Sequence, residues 1–315
     1  MQSIAIIGTG FIGRAWAICF ARAGYETRLW DAVPQAVDGA LSYIRPLLED
    51  LAHNDLLGGR SVDDVERLLV PCATMEAALD GVAYVQESTP ERVEDKIAIF
   101  KAITSAVPAA AIVGSSTSAI LPSAFTADCT ARECTIVVHP INPPFLVPAC
   151  EVVPAPWTSA ATVERTIALM QSIGQVPIPM SREIDGFLMN RLQAALLNEA
   201  FRLVNEGYAT AEAVDAGIKD GLALRWSFMG PYETIDLNAP GGIRDYVGRY
   251  GSTLAQIHST QLATVALTPE KLDEVEGELR RSHPAGELAD RQRWRDRRLA
   301  ALLVHKRAAR ADIGD

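Results

Sequence analysis

Residues 3–13 read Ser-Ile-Ala-Ile-Ile-Gly-Thr-Gly-Phe-Ile-Gly, an apolar run followed at once by glycines in the pattern Gly-x-Gly-x-x-Gly. The run predicts a buried parallel strand, and residues 15–21 predict a helix. Between them, Gly8 permits the tight turn, Gly10 lets the backbone approach a pyrophosphate, and Gly13 lets the helix pack closely on the strand. The N-terminus of the helix offers free N–H groups to the phosphates. The stretch therefore predicts a dinucleotide site that consists of Gly8, Gly10, Phe11, Ile12 and Gly13.

The choice of dinucleotide depends on Asp31, which follows a second predicted strand at residues 26–30. A carboxylate at this position accepts hydrogen bonds from both ribose hydroxyls of an adenosine, and it would repel a 2′-phosphate. The next residues, Ala32, Val33 and Pro34, include no arginine that would bind such a phosphate. The sequence therefore predicts NAD rather than NADP. A role for Asp31 in capping the helix that follows is compatible with this prediction.

Strands and helices alternate through the first part of the chain. The strand candidates are residues 82–87, 111–115, 134–139, 149–153 and 176–180, and the helix candidates are residues 36–52, 62–69, 91–106 and 159–173. This alternation predicts an α/β fold, with a doubly wound Rossmann-type sheet in a domain of residues 1–182. Residues 36–69 exceed what a plain crossover needs, and we interpret them as a helical excursion that reaches toward the substrate.

The sheet pattern stops after Pro179, and a long helix is predicted from Phe187 to about Glu206. From there to the C-terminus, apolar residues recur at helical spacing between glycine and proline breaks. The sequence therefore predicts a second, all-α domain over residues 183–315. Because ligand sites favour domain junctions, we expect the nicotinamide and the substrate in a cleft between the two domains.

Composition restricts the partners. The net charge of −10 argues against nucleic-acid binding, and the arginine-rich stretch 291–310 is interpreted as a solvated helix face whose apolar side packs on the protein or on a second subunit. The five cysteines are scattered, without a zinc-binding spacing, and indicate free thiols and no metal site. With neither a signal-peptide pattern nor an apolar run of membrane-spanning length, we expect a cytoplasmic protein with no membrane partner.

Two polar residues on one short stretch are the candidates for chemistry: His139, in His139-Pro140-Ile141-Asn142, and Glu151, in Glu151-Val152-Val153. A hydride acceptor beside a hydroxyl substrate also needs a base that takes the hydroxyl proton. An imidazole held by a carboxylate is the usual base of this kind. The dinucleotide turn and this pair together predict a dehydrogenase that acts on an alcohol.

Five motifs occur in a fixed order along the chain: Gly8-x-Gly10-x-x-Gly13, Ser115-Ser116-Thr117-Ser118, His139-x-x-Asn142-Pro143, Glu151-Val152-Val153 and Asp185-Gly186-Phe187-x-x-Asn190-Arg191. In these motifs and their spacings the chain resembles the L-3-hydroxyacyl-CoA dehydrogenase superfamily over essentially its full length. Within the superfamily it is most similar to the lambda-crystallin and L-gulonate 3-dehydrogenase branch. The branch features are Pro143-Pro144, residues 224–234 and the tail Arg293-Trp294-Arg295-Asp296.

The resemblance implies roles for individual residues. His139 would be the catalytic base, and Glu151 would orient its ring and stabilise the charge that the ring acquires. Ser118, Asn142 and Asn190 would hydrogen-bond the substrate oxygen and the neighbouring carbonyl or carboxylate. Glu91 and Lys96 match family positions near the cofactor ribose and the nicotinamide. The resemblance also implies a homodimer formed through the helical domain.

Each of these residues has a structural alternative. His139 could be a partly buried histidine with satisfied hydrogen bonds, Glu151 could cap a turn, and residues 115–118 could form an ordinary polar turn. Asn190 could hydrogen-bond the N-terminus of its helix. For any one residue alone a structural role is the better interpretation, whereas five motifs at family spacing favour function.

The charges of residues 44–69 bear on the substrate. Coenzyme A carries several phosphates and needs cations at the mouth of its site. The chain has no lysine before Lys96, and three arginines in residues 44–69 face six carboxylates. A small, free 3-hydroxy acid is therefore the predicted substrate, L-gulonate first, with carnitine-type and 3-hydroxybutyrate-type acids left open. Arg225 is the candidate for binding its carboxylate, although a surface or interface salt bridge is an alternative role for Arg225.

Two other functions stay open. A 3-hydroxyacyl-CoA dehydrogenase would act on the thioester instead of the free acid. A crystallin-like structural protein would bind NAD with only incidental catalysis, an interpretation against which the set Ser118, His139, Glu151 and Asn190 argues.

Overall fold

A computed structural model describes residues 3–314, except the side chain of Ser282. The chain forms two compact units. The first contains the described residues up to Asn190 together with Asp296–Val304, and the second contains Arg191–Arg295 and the described residues from His305 onward. The contacts therefore group residues 183–190 with the first unit. The units predicted as 1–182 and 183–315 include residues 1, 2 and 315, which lie outside the described residues.

The first unit is built on one sheet of eight strands. In chain order these are β1 (Ser3–Ile7), β2 (Glu26–Trp30), β3 (Leu69–Pro71), β4 (Tyr84–Glu87), β5 (Ile112–Ser115), β6 (Thr135–Pro140), β7 (Ala149–Pro154) and β8 (Val176–Pro179). Their order across the sheet is β3-β2-β1-β4-β5-β6-β7-β8. The pairs are parallel except β6 with β7, so that β7 and β8 run against the other six strands.

Helices cover both faces of this sheet. They are α1 (Phe11–Arg22), α2 (Ala36–His53), α3 (Val62–Glu66), α4 (Met75–Leu79), α5 (Val93–Ala106), α6 (Ser123–Thr126), α7 (Ala160–Ser172) and the start of α8 (Met189–Asn205). Along β1, Ile4 and Ile6 join the apolar cluster that contains Trp16, whereas Ala5 and Ile7 join the cluster on the opposite face. A strand buried on both faces reads as a continuous apolar run, which is why residues 3–7 identify it. The predicted doubly wound α/β fold is confirmed.

One predicted helix is wrong in part. The helix expected over residues 62–69 ends at Glu66, and Leu69–Pro71 joins the sheet as the edge strand β3, paired with β2. Three residues are too few to show strand periodicity. Pro71 is tolerated because an edge strand leaves one row of N–H groups unpaired.

The second unit is helical. Beside most of α8 it contains α9 (Ala211–Ala216), a π-helical turn (Gly217–Leu222), α10 (Ala223–Trp226), α11 (Pro231–Leu237), α12 (Gly242–Ser259), α13 (Pro269–Ser282) and both ends of α14 (Leu288–Ile313). Its described residues form helices, turns and loops only, which confirms the predicted all-α character. Among the described residues no helix combines the length and the apolar character needed to cross a membrane.

Candidate active site

The glycine turn follows β1 directly and leads into α1. Gly8 has a φ of +91°, and a Cβ atom there would lie 2.7 Å from the carbonyl oxygen of Ser88. A Cβ atom at Gly13 would overlap the carbonyl oxygen of Gly8. Gly10 differs, because nothing lies within 4 Å of its added Cβ and no side chain caps the helix there. Gly8 and Gly13 are thus needed by the fold, while Gly10 leaves open the approach to free N–H groups that a pyrophosphate requires.

Asp31 lies beside this turn at the end of β2. Its Oδ2 accepts hydrogen bonds from the Thr9 N–H at 2.7 Å and the Thr9 hydroxyl at 3.2 Å, and its Oδ1 accepts the Val33 N–H at 2.9 Å. A surface depression of about 440 Å³ opens here. The described residues that line it include two carboxylates, Asp31 and Asp38, and no lysine or arginine. The turn and this depression fit an adenosine without a 2′-phosphate, and hence NAD.

His139 and Glu151 face each other across the antiparallel pair β6–β7, where they are register partners. Their side chains are almost fully buried, and His139 Nδ1 lies 2.6 Å from Glu151 Oε2. The other oxygen, Oε1, accepts the backbone N–H groups of Leu188 at 2.6 Å and Met189 at 2.9 Å. Burial acts to raise the pKa of Glu151, but the hydrogen bonds from His139 and from the two N–H groups outweigh it and hold this pKa below its ordinary value. Glu151 therefore stays ionised and fixes the ring of His139.

Phe187 also positions His139, and its role was not predicted from the sequence. Its ring centroid lies 5.8 Å from that of His139, and its side chain is fully buried. Its φ of +50° is uncommon for a bulky residue and follows Gly186, whose φ is +74°. This tight bend starts α8 and directs its first N–H groups at Glu151. The Asp185-Gly186-Phe187 motif marks the bend, but no sequence pattern reveals the ring contact.

Ser118 and Asn190 meet in the structure. Asn190 Nδ2 donates to the carbonyl oxygen of Ser118 at 2.7 Å. Glu91 holds the same loop from the other side, because its Oε1 accepts the N–H groups of Ser118 at 2.8 Å and Ala119 at 3.2 Å and the Thr117 hydroxyl at 2.5 Å. Glu91 thus organises the loop that carries Ser118. Its expected contact with the cofactor ribose stays a prediction.

Lys96 is buried inside the first unit. Its Nζ lies 2.7 Å from Glu87 Oε1 and 3.9 Å from Glu91 Oε2, and both Lys96 and Glu87 are at most 1% exposed. Glu87 Oε2 accepts the Ser115 hydroxyl at 2.6 Å, and its Oε1 accepts the Thr89 N–H at 2.6 Å. This cluster links the ends of β4 and β5 to α5. Sequence reasoning did not single out Glu87, although a carboxylate that ends a buried strand is a signal that could have identified it.

The two residues predicted to bind substrate lie in different units. Asn142 follows β6 in the first unit, and among the described residues its buried Oδ1 has no hydrogen-bond partner. Arg225 lies on α10 of the second unit, where its Nη1 is 3.5 Å from Asn238 Oδ1. The first unit therefore brings together His139, Glu151, Ser118, Asn190 and Glu91, whereas the role of Arg225 stays a prediction.

Comparison with known families finds matches over most of the chain. Residues 3–184 match the 3-hydroxyacyl-CoA dehydrogenase NAD-binding domain, and residues 186–276 match the 3-hydroxyacyl-CoA dehydrogenase C-terminal domain.

Individual relatives extend along nearly the full length. Lambda-crystallin of Oryctolagus cuniculus is 38% identical over 96% of this chain and 96% of its own. L-carnitine dehydrogenase of Pseudomonas putida is 32% identical over 100% of this chain and 97% of its own. Among solved structures, the NAD⁺-dependent dismutase 5-formyl-3-hydroxy-2-methylpyridine 4-carboxylic acid 5-dehydrogenase superposes with a TM-score of 0.82 at 24% identity, over 97% of this chain and 99% of that one. The last likeness shows the fold alone.

Proposed function

The chain belongs to the 3-hydroxyacyl-CoA dehydrogenase family, as an NAD-dependent dehydrogenase of CH–OH groups, and we propose that it oxidises the 3-hydroxyl of a small, free 3-hydroxy acid with His139 as general base. The observation that carries the proposal is the buried pair of His139 and Glu151 in the same unit as the dinucleotide turn. L-Gulonate is the first candidate substrate.

The geometry assigns each atom of the pair a task. Glu151 holds Nδ1 of His139, so Nε2 is the nitrogen left to take the hydroxyl proton. As the ring gains a positive charge, the ionised carboxylate of Glu151 stabilises it. When bound at the glycine turn and Asp31, NAD supplies the acceptor for the hydride that leaves the carbinol carbon. A positioned base of this kind contributes about 10² to 10⁴ in rate.

Charge in the excursion between β2 and β3 supports a free acid over an acyl-CoA thioester. Arg45 pairs with Glu66 and lies 3.5 Å from Asp63, and Arg67 pairs with Asp64. These cations are neutralised within the segment and leave excess negative charge, which disfavours the phosphates of coenzyme A. A relative that is 32% identical is named for L-carnitine, a free hydroxy acid, and this name also supports a free acid as the substrate.

Initial rates of NADH formation test this proposal across L-gulonate, L-carnitine, L-3-hydroxybutyrate and L-3-hydroxybutyryl-CoA. We expect saturable oxidation of at least one free acid and little activity with the thioester. Activity confined to the thioester would contradict the proposal and favour an acyl-CoA dehydrogenase. Absence of turnover with every substrate, with NAD still bound, would favour the crystallin-like structural role.

We further propose a homodimer formed through the helical unit and a cytoplasmic location. The helical unit exposes large apolar side chains on and near α10 and α11, among them Leu224, Phe228, Tyr232 and Leu237. An exposed apolar patch of this kind is typical of a subunit interface. Arg225 lies within this patch, so an interface role competes with carboxylate binding.

All five cysteines lie among the described residues as free thiols, which suits a reducing compartment and supports the proposed cytoplasmic location.

A further inference from the structure

Arg14, in the first turn of α1, is held between two aromatic rings. Its guanidinium carbon lies 3.4 Å from the centroid of the Tyr43 ring on α2 and 5.1 Å from that of Phe11. Its Nε is buried and has no hydrogen-bond partner, and among the described residues no carboxylate pairs with this guanidinium. A guanidinium stacked in this way loses little further freedom on binding, and its N–H edge stays available to an acceptor. Arg14 therefore has the features of a preorganised anion-binding residue.

A second unpartnered polar atom lines the same cleft. Asn142 Oδ1 is buried without a partner, and Asn142 follows the proposed base His139 by three residues on the loop after β6. The cleft also contains Pro143 and Phe145. Asp296 lines it as well and has an interaction of its own. A donor edge and an acceptor thus line the same cleft, close in sequence to the glycine turn and to the proposed base.

We propose that Arg14 binds the carboxylate of the substrate and that Asn142 accepts a hydrogen bond from one of its hydroxyls. This inference rests on the proposed function and assigns to Arg14 the carboxylate binding that the sequence suggested for Arg225. An arginine fork matches a carboxylate with two parallel hydrogen bonds. The cleft holds about 10 Å³, the space of roughly one water molecule, which is too narrow for a pantetheine arm.

The same arrangement defines a specificity. Arg14 already covers the face of Tyr43, where a quaternary ammonium would otherwise be bound by cation–π interaction. Its positive charge also repels such a group. A thioester offers no carboxylate to the fork. The preferred substrate class is therefore a hydroxylated monocarboxylate such as an aldonic acid, ahead of carnitine-type acids and acyl-CoA thioesters.

The test compares Arg14→Gln and Arg14→Lys with the wild type on L-gulonate, L-3-hydroxybutyrate and the neutral methyl ester of L-3-hydroxybutyrate. We expect Arg14→Gln to raise KM for the acids about 10- to 100-fold, as loss of charge-assisted hydrogen bonds implies, with kcat changed only a few-fold. The KM of the ester and the affinity for NAD should not change. Arg14→Lys should recover part of the loss. Arg67→Gln is the matched control, because Arg67 is exposed and pairs only within its own segment.

The possible failures are distinguishable. An equal KM change for acid and ester, or none for the acid, would overturn the role of Arg14 and leave the proposed function intact. A parallel loss of NAD affinity would assign Arg14 to the cofactor and also overturn the inference. Wild-type activity confined to the thioester would overturn both. If Arg14→Gln does not fold, Tyr43→Leu provides a second test, because a guanidinium without its stacking partner should show a smaller KM increase that is still selective for the acids.

Discussion

His139 and Glu151 form a residue pair whose two members contribute differently. If His139 is the base, His139→Ala should lower kcat about 10²- to 10⁴-fold, because no other group takes the hydroxyl proton, while NAD still binds at the glycine turn. Steady-state rates and an NAD titration monitored by fluorescence measure the two effects. His53→Ala, at the end of α2, is the control. Retention of most activity in His139→Ala would rule out the proposed mechanism.

The ionised Glu151 should make the free energy of unfolding depend on pH. Because its folded pKa lies below the ordinary value of 4.5, its ionised form stabilises the fold fully above that value, and the contribution disappears as pH falls through the lower folded pKa. Glu151→Gln should therefore reduce the free energy of unfolding by about 1–3 kcal/mol at pH 7, and the gap should narrow below about pH 4.5. Urea unfolding from pH 7 to pH 3 measures this gap, with a Glu76→Gln substitution at an exposed position of α4 as the control. A gap independent of pH would contradict the assignment.

Asp31 should control the choice between nucleotides. A carboxylate beside a 2′-phosphate costs several kcal/mol, so the wild type should use NADP at least about 10²-fold less efficiently than NAD. Asp31→Ser should narrow the ratio of the two kcat/KM values, mainly by losing efficiency with NAD. Similar efficiency of the wild type with both cofactors would show that Asp31 serves only the turn, through its bonds to Thr9.

At the scale of elements, the cluster of Glu87, Lys96 and Ser115 joins β4, α5 and β5. Removing one member of a buried ion pair leaves a charge without compensation, so Lys96→Met should lower the free energy of unfolding by about 3–5 kcal/mol. The double variant Glu87→Gln with Lys96→Met should recover part of that loss. Urea unfolding of the wild type, the single variants and the double variant gives the coupling. If the losses of the two single variants simply add in the double variant, Glu87 and Lys96 do not stabilise the fold through their interaction.

Some helices and strands could be predicted from sequence patterns, whereas others could not. Strand β1 and the turn after it were predictable, because an apolar run buried on both faces and its glycines leave few alternatives. The three residues of β3 were not, since their place in the sheet depends on pairing with β2. The bond between Glu151 and the start of α8 likewise depends on tertiary structure, because residues 151 and 188 approach only once β7 and Phe187 are in place.

For the whole molecule, motif order predicted residues that the fold brings together, but it did not predict which of their polar atoms lack a hydrogen-bond partner. His139 and Glu151 could be paired from the sequence because they lie on one short stretch, which folds as the neighbouring strands β6 and β7. Arg14 could not be singled out, since only the folded chain shows its guanidinium between Tyr43 and Phe11 without a carboxylate. An arginine after the last glycine of the turn reads as an ordinary helix residue. The structure therefore adds what the sequence cannot show, namely which buried polar atoms lack a hydrogen-bond partner.

The exposed apolar side chains of the helical unit lead to a prediction of the oligomeric state. Phe228 is 68% exposed and lies among other exposed apolar side chains. Exposure of this apolar surface to water is unfavourable, and a second copy of the chain would bury it. We expect a homodimer by light scattering coupled to size-exclusion chromatography. Phe228→Asp should shift the protein toward the monomer, because a carboxylate buried at an interface without a partner is strongly unfavourable. Val176→Asp, on the exposed edge strand β8 of the other unit, should leave the dimer intact. A wild-type monomer, or a Phe228→Asp dimer of unchanged stability, would place the interface elsewhere or rule it out.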